Sequence, residues 1–217
     1  VSIVKIRAAL EAQLATAAPI VSGTALSAVA VGTNALFTTG SAHGLVTGMQ
    51  VSLPGYTGGT PALPDMYKVL AQSSTTFFLQ NSATGATISV TVAGSSGIVT
   101  PNLTAFQNVV FSPVPGVPYQ KVYLVPFKPD DQVQGAGYYQ EIGLFQVTLV
   151  YPNGVGIGAI LARAELLRSL FKKGSSFVNG GITVQVAETP ELGYLDESDE
   201  DQIHLPVKVP YMAQIFY

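Results

Sequence analysis

The chain has 217 residues, room for one large domain or two modest ones at roughly 100 to 200 residues each. Asp, Glu, Lys and Arg make up 11% of it, against about 25% in an average soluble protein, while hydrophobic residues stand at an ordinary 47%. A net charge of −3 lacks the electrostatics of a general nucleic-acid binder, and the absence of cysteine excludes a disulfide framework, thiolate metal sites and a cysteine nucleophile.

The first element is a helix. Ile3, Ile6, Leu10 and Leu14 recur at spacings of three and four, with Lys5, Glu11 and Gln13 off that stripe, Ser2 placed to cap the start and Pro19 to stop it. Lys5 and Arg7 ahead of the small residues Ala8 to Ala18 imitate a signal peptide, but Glu11 and Gln13 interrupt the apolar run. The uncharged stretch Ala17 to Phe37 is broken by Pro19, Gly23, Gly32 and Asn34 and does not read as a membrane span.

Charge is distributed unevenly. From Val21 to Gly97 the only charged residues are Asp65 and Lys68, and the same stretch holds 22 Ser or Thr and 11 glycines. That composition suits short strands joined by Gly-rich turns. Candidate strands are Leu26 to Val31, Ala35 to Thr39, Met49 to Leu53, Met66 to Ala71, Thr76 to Gln80 and Ala86 to Val92, at the intervals of a sandwich or barrel. The chain is therefore expected to carry an all-β domain, 21–97, inserted into an α+β host made of 1–20 and 98–217, with an antiparallel or mixed sheet packed against helices.

In the host, Tyr119 to Val125 reads as a strand, and so does Tyr138 to Tyr151, where Phe145, Val147, Leu149 and Tyr151 share one face. A helix follows at about Gly158 to Lys173. Its buried face is read as Ile157, Ile160, Leu161, Ala164, Leu167, Leu170 and Phe171, and its wet face as Arg163, Glu165, Arg168 and Lys172. Lys172, Lys173 and Gly174 form its C-terminal signal, the lysines complementing the helix dipole or meeting a neighbouring subunit. Ile182 to Ala187 and a final strand, Ile203 to Phe216, complete the host. In the last strand the odd positions are apolar, while Pro206 and Pro210 cannot donate ladder hydrogen bonds, so it should lie at an edge or be paired fully on one side only. Such an edge resists aggregation or meets a partner. Lys172, Lys173, Pro206, Lys208 and Pro210 are accordingly the candidate interface residues.

No catalytic constellation is apparent. His43 and His204 fall in different expected domains without a nucleophile or orienting acid nearby in sequence, and both read as structural or surface residues. Asp196, Glu197, Asp199, Glu200 and Asp201 lack the ligand spacing of an EF-hand and read as a solvated loop, the alternative being an acidic patch facing the lumen of an assembly. The candidate glycosidase acids Asp130, Asp131, Glu141, Glu188 and Glu191 show no spacing that singles out a pair. Gly154, Gly156 and Gly158 do not make a GxGxxG fingerprint and read as a loop and helix start. No cofactor or metal is called for.

Two resemblances follow from ordered motifs. The N-terminal helix, Asn108-Val109-Val110-Phe111-Ser112-Pro113, Gly116-Val117-Pro118-Tyr119, Val125-Pro126, Gly143-Leu144-Phe145-Gln146-Val147 leading to Tyr151-Pro152, the helix ending Leu170-Phe171-Lys172-Lys173-Gly174, and Leu205-Pro206-Val207-Lys208-Val209-Pro210-Tyr211 together resemble the tail terminator proteins of long-tailed bacteriophages. That resemblance implies a small α+β domain closing into a six-membered ring on the tail tube, ending its polymerisation and meeting the head connector. It also implies a place in the virion at the head-proximal end of the tail, after synthesis in the host cytoplasm. The partners implied are further copies of itself, the tube protein and the connector, with no membrane and no sequence-specific nucleic acid, the genome passing through the ring. The resemblance carries over no residue-level contact. The stretch Phe37-Thr38-Thr39, Ala42-His43-Gly44-Leu45, Thr47 to Gly55, Tyr67-Lys68-Val69 and Thr75 to Leu79 resembles a β module of phage tail and virion proteins. A rival reading makes this insert a carbohydrate or surface-binding module presenting Tyr56 and Tyr67 near turns.

Overall fold

The computed structural model describes residues 2–63, 66–130 and 137–216. The protein is mostly β, with 43% strand and 13% helix. It divides into two compact units, one of Val1–Ala18, Thr104–Phe111 and Pro115–Tyr217, the other of Pro19–Leu103 and Ser112–Val114. The α+β expectation therefore needs correcting towards a β-rich description, with two helices among the described residues.

The chain opens with helix α1, Ser2–Ala15, and then builds the second unit from β1 (Thr24–Val29), β2 (Leu36–Thr39), β3 (Gln50–Ser52), β4 (Tyr67–Ala71), β5 (Thr76–Asn81) and β6 (Ile98–Pro101). These close a barrel in the order β1-β2-β5-β4-β3-β6. Alternation decides the inside: Phe37, Val51, Val69, Phe77 and Leu79 are fully buried while their strand neighbours are not. Phe37 and Phe77 stack at 5.6 Å between ring centroids, and each contributes roughly 1.5–3 kcal/mol by burial. Of the two architectures open at the outset, the closed barrel is the one formed. Closure falls to β6, which pairs with both β1 and β3, so the barrel runs past the expected end of the insert at Gly97. The expected strand Ala86 to Val92 does not form a ladder. It makes single bridges to three different partners, Thr87 with Gln80, Val90 with Gly32 and Val92 with Thr60.

The other unit is a seven-stranded sheet. Its strands are β7 (Thr104–Phe106), β8 (Tyr119–Pro126), β9 (Tyr138–Pro152), β10 (Ser176–Asn179), β11 (Ile182–Val186), β12 (Glu191–Leu192) and β13 (Gln202–Phe216), with α2 (Gly158–Leu170) between β9 and β10. The order is β10-β11-β13-β9-β8-β7, with β12 beside β13. β7 runs parallel to β8 and the other pairs are antiparallel. β9 and β13 pair along all 15 residues of each. Both helices pack on one face: α2 over β9 and β13, α1 over β10 and β11. Phe171 joins them to the sheet, 5.7 Å from Phe145 and 5.7 Å from Phe177.

β13 is not an edge strand. Its second side is covered in pieces by β11 and β12, and the prolines sit where these segments need only acceptors: Gly193 N–H donates to Pro206 O at 2.8 Å and Ala187 N–H to Pro210 O at 2.9 Å. Proline keeps its carbonyl, so the missing N–H groups interrupt the ladder at Pro210, between β11 and β12, and end it at Pro206, beyond β12, without stranding those donors. The alternative of full pairing on one side only describes β13 correctly.

The α2 stripe also differs from expectation. Ile160, Arg163, Ala164 and Leu167 face inward, whereas Ile157 and Leu161 are exposed. The charge of Arg163 suggests an outward position, yet positions 160, 163, 164 and 167 lie on one helical face. At α1, Ser2 is not acting as a cap: its hydroxyl contacts Tyr139 Oη at 3.1 Å and donates to Glu141 Oε1 at 3.4 Å, tying the helix start to β9.

Tyr211 explains the glycine opposite it. Its ring crosses Gly143, where a Cβ would fall 2.5 Å from Val125 O and 2.6 Å from Tyr211 Oη. Gly143→Ala should cost about 1–3 kcal/mol through overpacking, read as a lower denaturant midpoint. Burial and the neighbouring Glu141 push the Tyr211 phenol up to about 12, against about 10 for a free tyrosine. Its stabilising share is complete below about pH 10 and is lost as pH rises towards the folded value, because the unfolded chain ionises first. The buried hydroxyl has no hydrogen-bond partner among the described residues. Tyr211→Phe should therefore leave Tm at pH 7 within a few degrees of wild type or raise it, and should reduce the loss of Tm between pH 9 and pH 11.

Candidate assembly surface

The face of the sheet opposite the helices is open over much of its area. Register places its residues in rows across the strands: Pro206 beside Thr148 and Lys121, Lys208 beside Gln146 and Tyr123, Pro210 beside Leu144 and Val125, then Met212 beside Ile142, and Phe216 beside Tyr138. Charge is sparse on it, while aromatic, aliphatic, Gln and Thr side chains alternate. A face with few charges and several exposed aromatics has the composition of a protein-contact core. Phe216 is 71% exposed and Val178, on β10, is 69% exposed. Between them lies a depression of about 260 Å³ lined by Ser176, Gly181, Thr183, Gln185, Met212 and Gln214 with Phe216.

Towards the other end this face is covered by loops. Phe111 packs against Tyr119 at 5.3 Å, and Tyr119 Oη reaches Gln202 Oε1 at 3.5 Å. Burial pushes the Tyr119 phenol up, with a smaller contribution from Asp199. His204 exchanges backbone hydrogen bonds with Asp196, each at 2.9 Å, and its Nε2 stands 4.0 Å from Asp199 Oδ2. The acidic run is organised by its own carboxylates: Asp196 Oδ1 accepts from Ser198 N–H and Asp199 Oδ1 from Asp201 N–H, each at 3.0 Å. The Ser198 hydrogen bonds hold the Asp196 carboxyl below its usual range. No group of three His, Asp or Glu among the described residues is placed to hold a metal ion.

The five candidate interface residues do not form one cluster. Pro206, Lys208 and Pro210 share the open face and are half-buried. Lys172 and Lys173 are exposed just beyond α2, which packs on the opposite face. Asp131 lies outside the described residues. The face as a whole was missed in the sequence because its residues belong to five strands, and period-two alternation separates core from non-core without saying whether the non-core side is covered.

In the barrel, the two tyrosines of the surface-binding reading face inward. Tyr67 is buried, and the Tyr56 ring packs against the barrel core, 6.2 Å from Phe37. A Cβ on Gly59 would fall 2.4 Å from Tyr56 Oη, and one on Gly94 would fall 2.4 Å from its Cζ; Gly94 N–H donates to Tyr56 Oη at 3.0 Å. His43 fastens a turn, its Nδ1 accepting from Leu45 N–H at 2.9 Å and its ring meeting Phe77 edge-on at 5.3 Å.

The profile of the family described as phage tail terminator protein matches residues 88–211, more than half of the chain. The chain belongs to the phage tail terminator family. That match takes in β7 to β12, α2 and most of β13, so it covers most of the open face, with Met212, Gln214 and Phe216 lying beyond it, together with the last section of the barrel. No curated protein matches the chain significantly. One solved structure of a protein without a descriptive name is 26% identical, covering 52% of this chain and 80% of its own, with a TM-score of 0.43. Family membership implies a structural, tail-related protein of the virion, and no described helix is long and apolar enough to cross a membrane.

Tyr56→Phe should cost about 1 kcal/mol of barrel stability through the lost hydrogen bond, and Tyr56→Ala about 3 kcal/mol or more through the cavity. Urea unfolding followed by barrel-specific NMR signals checks both.

Proposed function

We propose that this tail terminator closes with copies of itself into a ring, a hexamer, that caps the tail tube, stops its polymerisation and forms the joint to the head connector at the head-proximal end of the virion tail. Its role is structural and non-enzymatic. Membership of the tail terminator family carries this reading, and the sparsely charged open face supports it as a surface suited to protein contact. A cyclic assembly ends growth because each heterologous contact is used up when the ring closes. Pro206, Lys208 and Pro210 supply contacts on the open face, with Lys172 and Lys173 contributing from the end of α2. The barrel is carried as an insert in the sheet unit.

Purified full-length protein added to polymerising tube protein should shorten the tubes and leave a ring at one end in negative stain, with native mass spectrometry showing six copies. Free protein that is strictly monomeric and leaves tube lengths unchanged contradicts the proposal. Lys208→Glu should weaken ring formation about tenfold, equivalent to about 1.4 kcal/mol, with an unaltered circular dichroism spectrum.

A further inference from the structure

The buried charge on α2 has no part in the open face. Arg163 is 8% exposed, and Gln120 on β8 is 2% exposed. Arg163 Nη1 donates to the backbone carbonyl of Ala18, and Nη2 donates to Gln120 Oε1 at 3.1 Å. Gln120 Nε2 in turn donates to Thr104 Oγ1 at 3.0 Å. Burial pulls the guanidinium below its ordinary range, and the neighbouring Tyr151 phenol pushes it back up. Its hydrogen-bond acceptors here are a neutral carbonyl and a neutral amide. A leucine or methionine would pack on this helical face without bringing a charge out of water.

What distinguishes the position is the pair of chain ends it reaches. Ala18 is the last residue of the sheet unit before the backbone departs for the barrel, and Thr104 is the first residue after it returns. Arg163 and Gln120 therefore join the outgoing and returning chains from inside the sheet unit. We propose that Arg163 is the fastener that closes the sheet unit over its own interruption, so that the unit keeps its fold independently of the segment inserted between Ala18 and Thr104. The guanidinium suits this because its planar fork can serve two acceptors in fixed geometry, whereas a lysine ammonium is a single point. Gln120 extends the reach because an amide can accept at one atom and donate at the other.

Hydrogen exchange on the full chain tests the assignment. In Arg163→Met, the amides of Ala17 and of β7 should both exchange at least tenfold faster, while Val69 and Val90 in the barrel and the β9 to β13 ladder keep their wild-type rates. Arg163→Lys should protect one junction and release the other. Gln120→Leu should release β7 and leave Ala18 bound to Arg163, with the Ala17 amide at its wild-type rate. Unchanged exchange at both junctions in Arg163→Met overturns the proposal, as does uniform loosening of the whole sheet, which marks an ordinary core residue. Should Arg163→Met not fold, the Lys and Gln120→Leu variants decide: selective loosening supports the fastener, and uniform or absent loosening overturns it.

Discussion

The sheet unit depends on the pairing of β9 with β13. Two strands of 15 residues each run antiparallel in unbroken register from Gln202 beside Pro152 to Phe216 beside Tyr138. Because side chains alternate with a period of two, a slip of either strand by one residue would turn its whole core set out of the core, Phe145, Val147 and Leu149 for β9 or Leu205, Val207 and Val209 for β13. Every other part of the unit takes its position from this ladder. α2 covers it, β11 and β12 flank one side, β8 flanks the other, and α1 reaches it through Ser2 at Tyr139 and Glu141. The two prolines of β13 belong to the same constraint: Pro210 breaks the flanking ladder where β11 gives way to β12, Pro206 ends it beyond β12, and both leave the β9 side whole.

Loading both helices onto one face leaves the other without a helical layer. Near Tyr119 and His204 the chain covers it with its own loops, and elsewhere a sparsely charged band of Tyr, Val, Ile, Met, Gln and Thr remains exposed. Lys121 and Lys208 stand almost alone on this band, so the band itself offers little charge to a partner. It suits close-packed contact with another protein surface, in keeping with a tail component. The barrel is built on a different economy, with a dense aromatic centre of Phe37, Phe77 and Tyr56 and strands too short to bury much singly, so closure by β6 is essential to it.

Much of this was legible in the sequence. Alternation in 138–151 and 203–216 placed the two long strands to within a residue or two, and the 3.6-residue stripe placed α2. Five of the six barrel strands followed from β-branched and aromatic runs between glycines. β6 was missed because composition gave no boundary there: after Lys68 the next charged residue is Lys121, so the neutral stretch runs through β6 and β7 alike. Charge alone places Arg163 in solvent, and the structure buries it. Its phase with Ile160 and Leu167 already put it inside, and Gln120 shares the core phase of Val122 and Leu124 on β8. Two polar residues in core phase were a readable sign of a buried polar pair, though nothing in the sequence showed that they meet each other and both junctions. The open face was not legible, since coverage of a sheet face is settled by where helices land.

The sheet unit is proposed to keep its fold independently of the segment inserted between Ala18 and Thr104. The most direct measurement is the two-dimensional amide NMR spectrum of a chain in which residues 19–103 are replaced by a linker of about five residues, a length suited to spanning the path from Ala18 through Arg163 and Gln120 to Thr104 at about 3.3–3.6 Å per residue. The account predicts dispersed β9, β13 and α2 signals superimposing on those of the full chain. A collapsed spectrum, with the ladder amides unprotected, would contradict it.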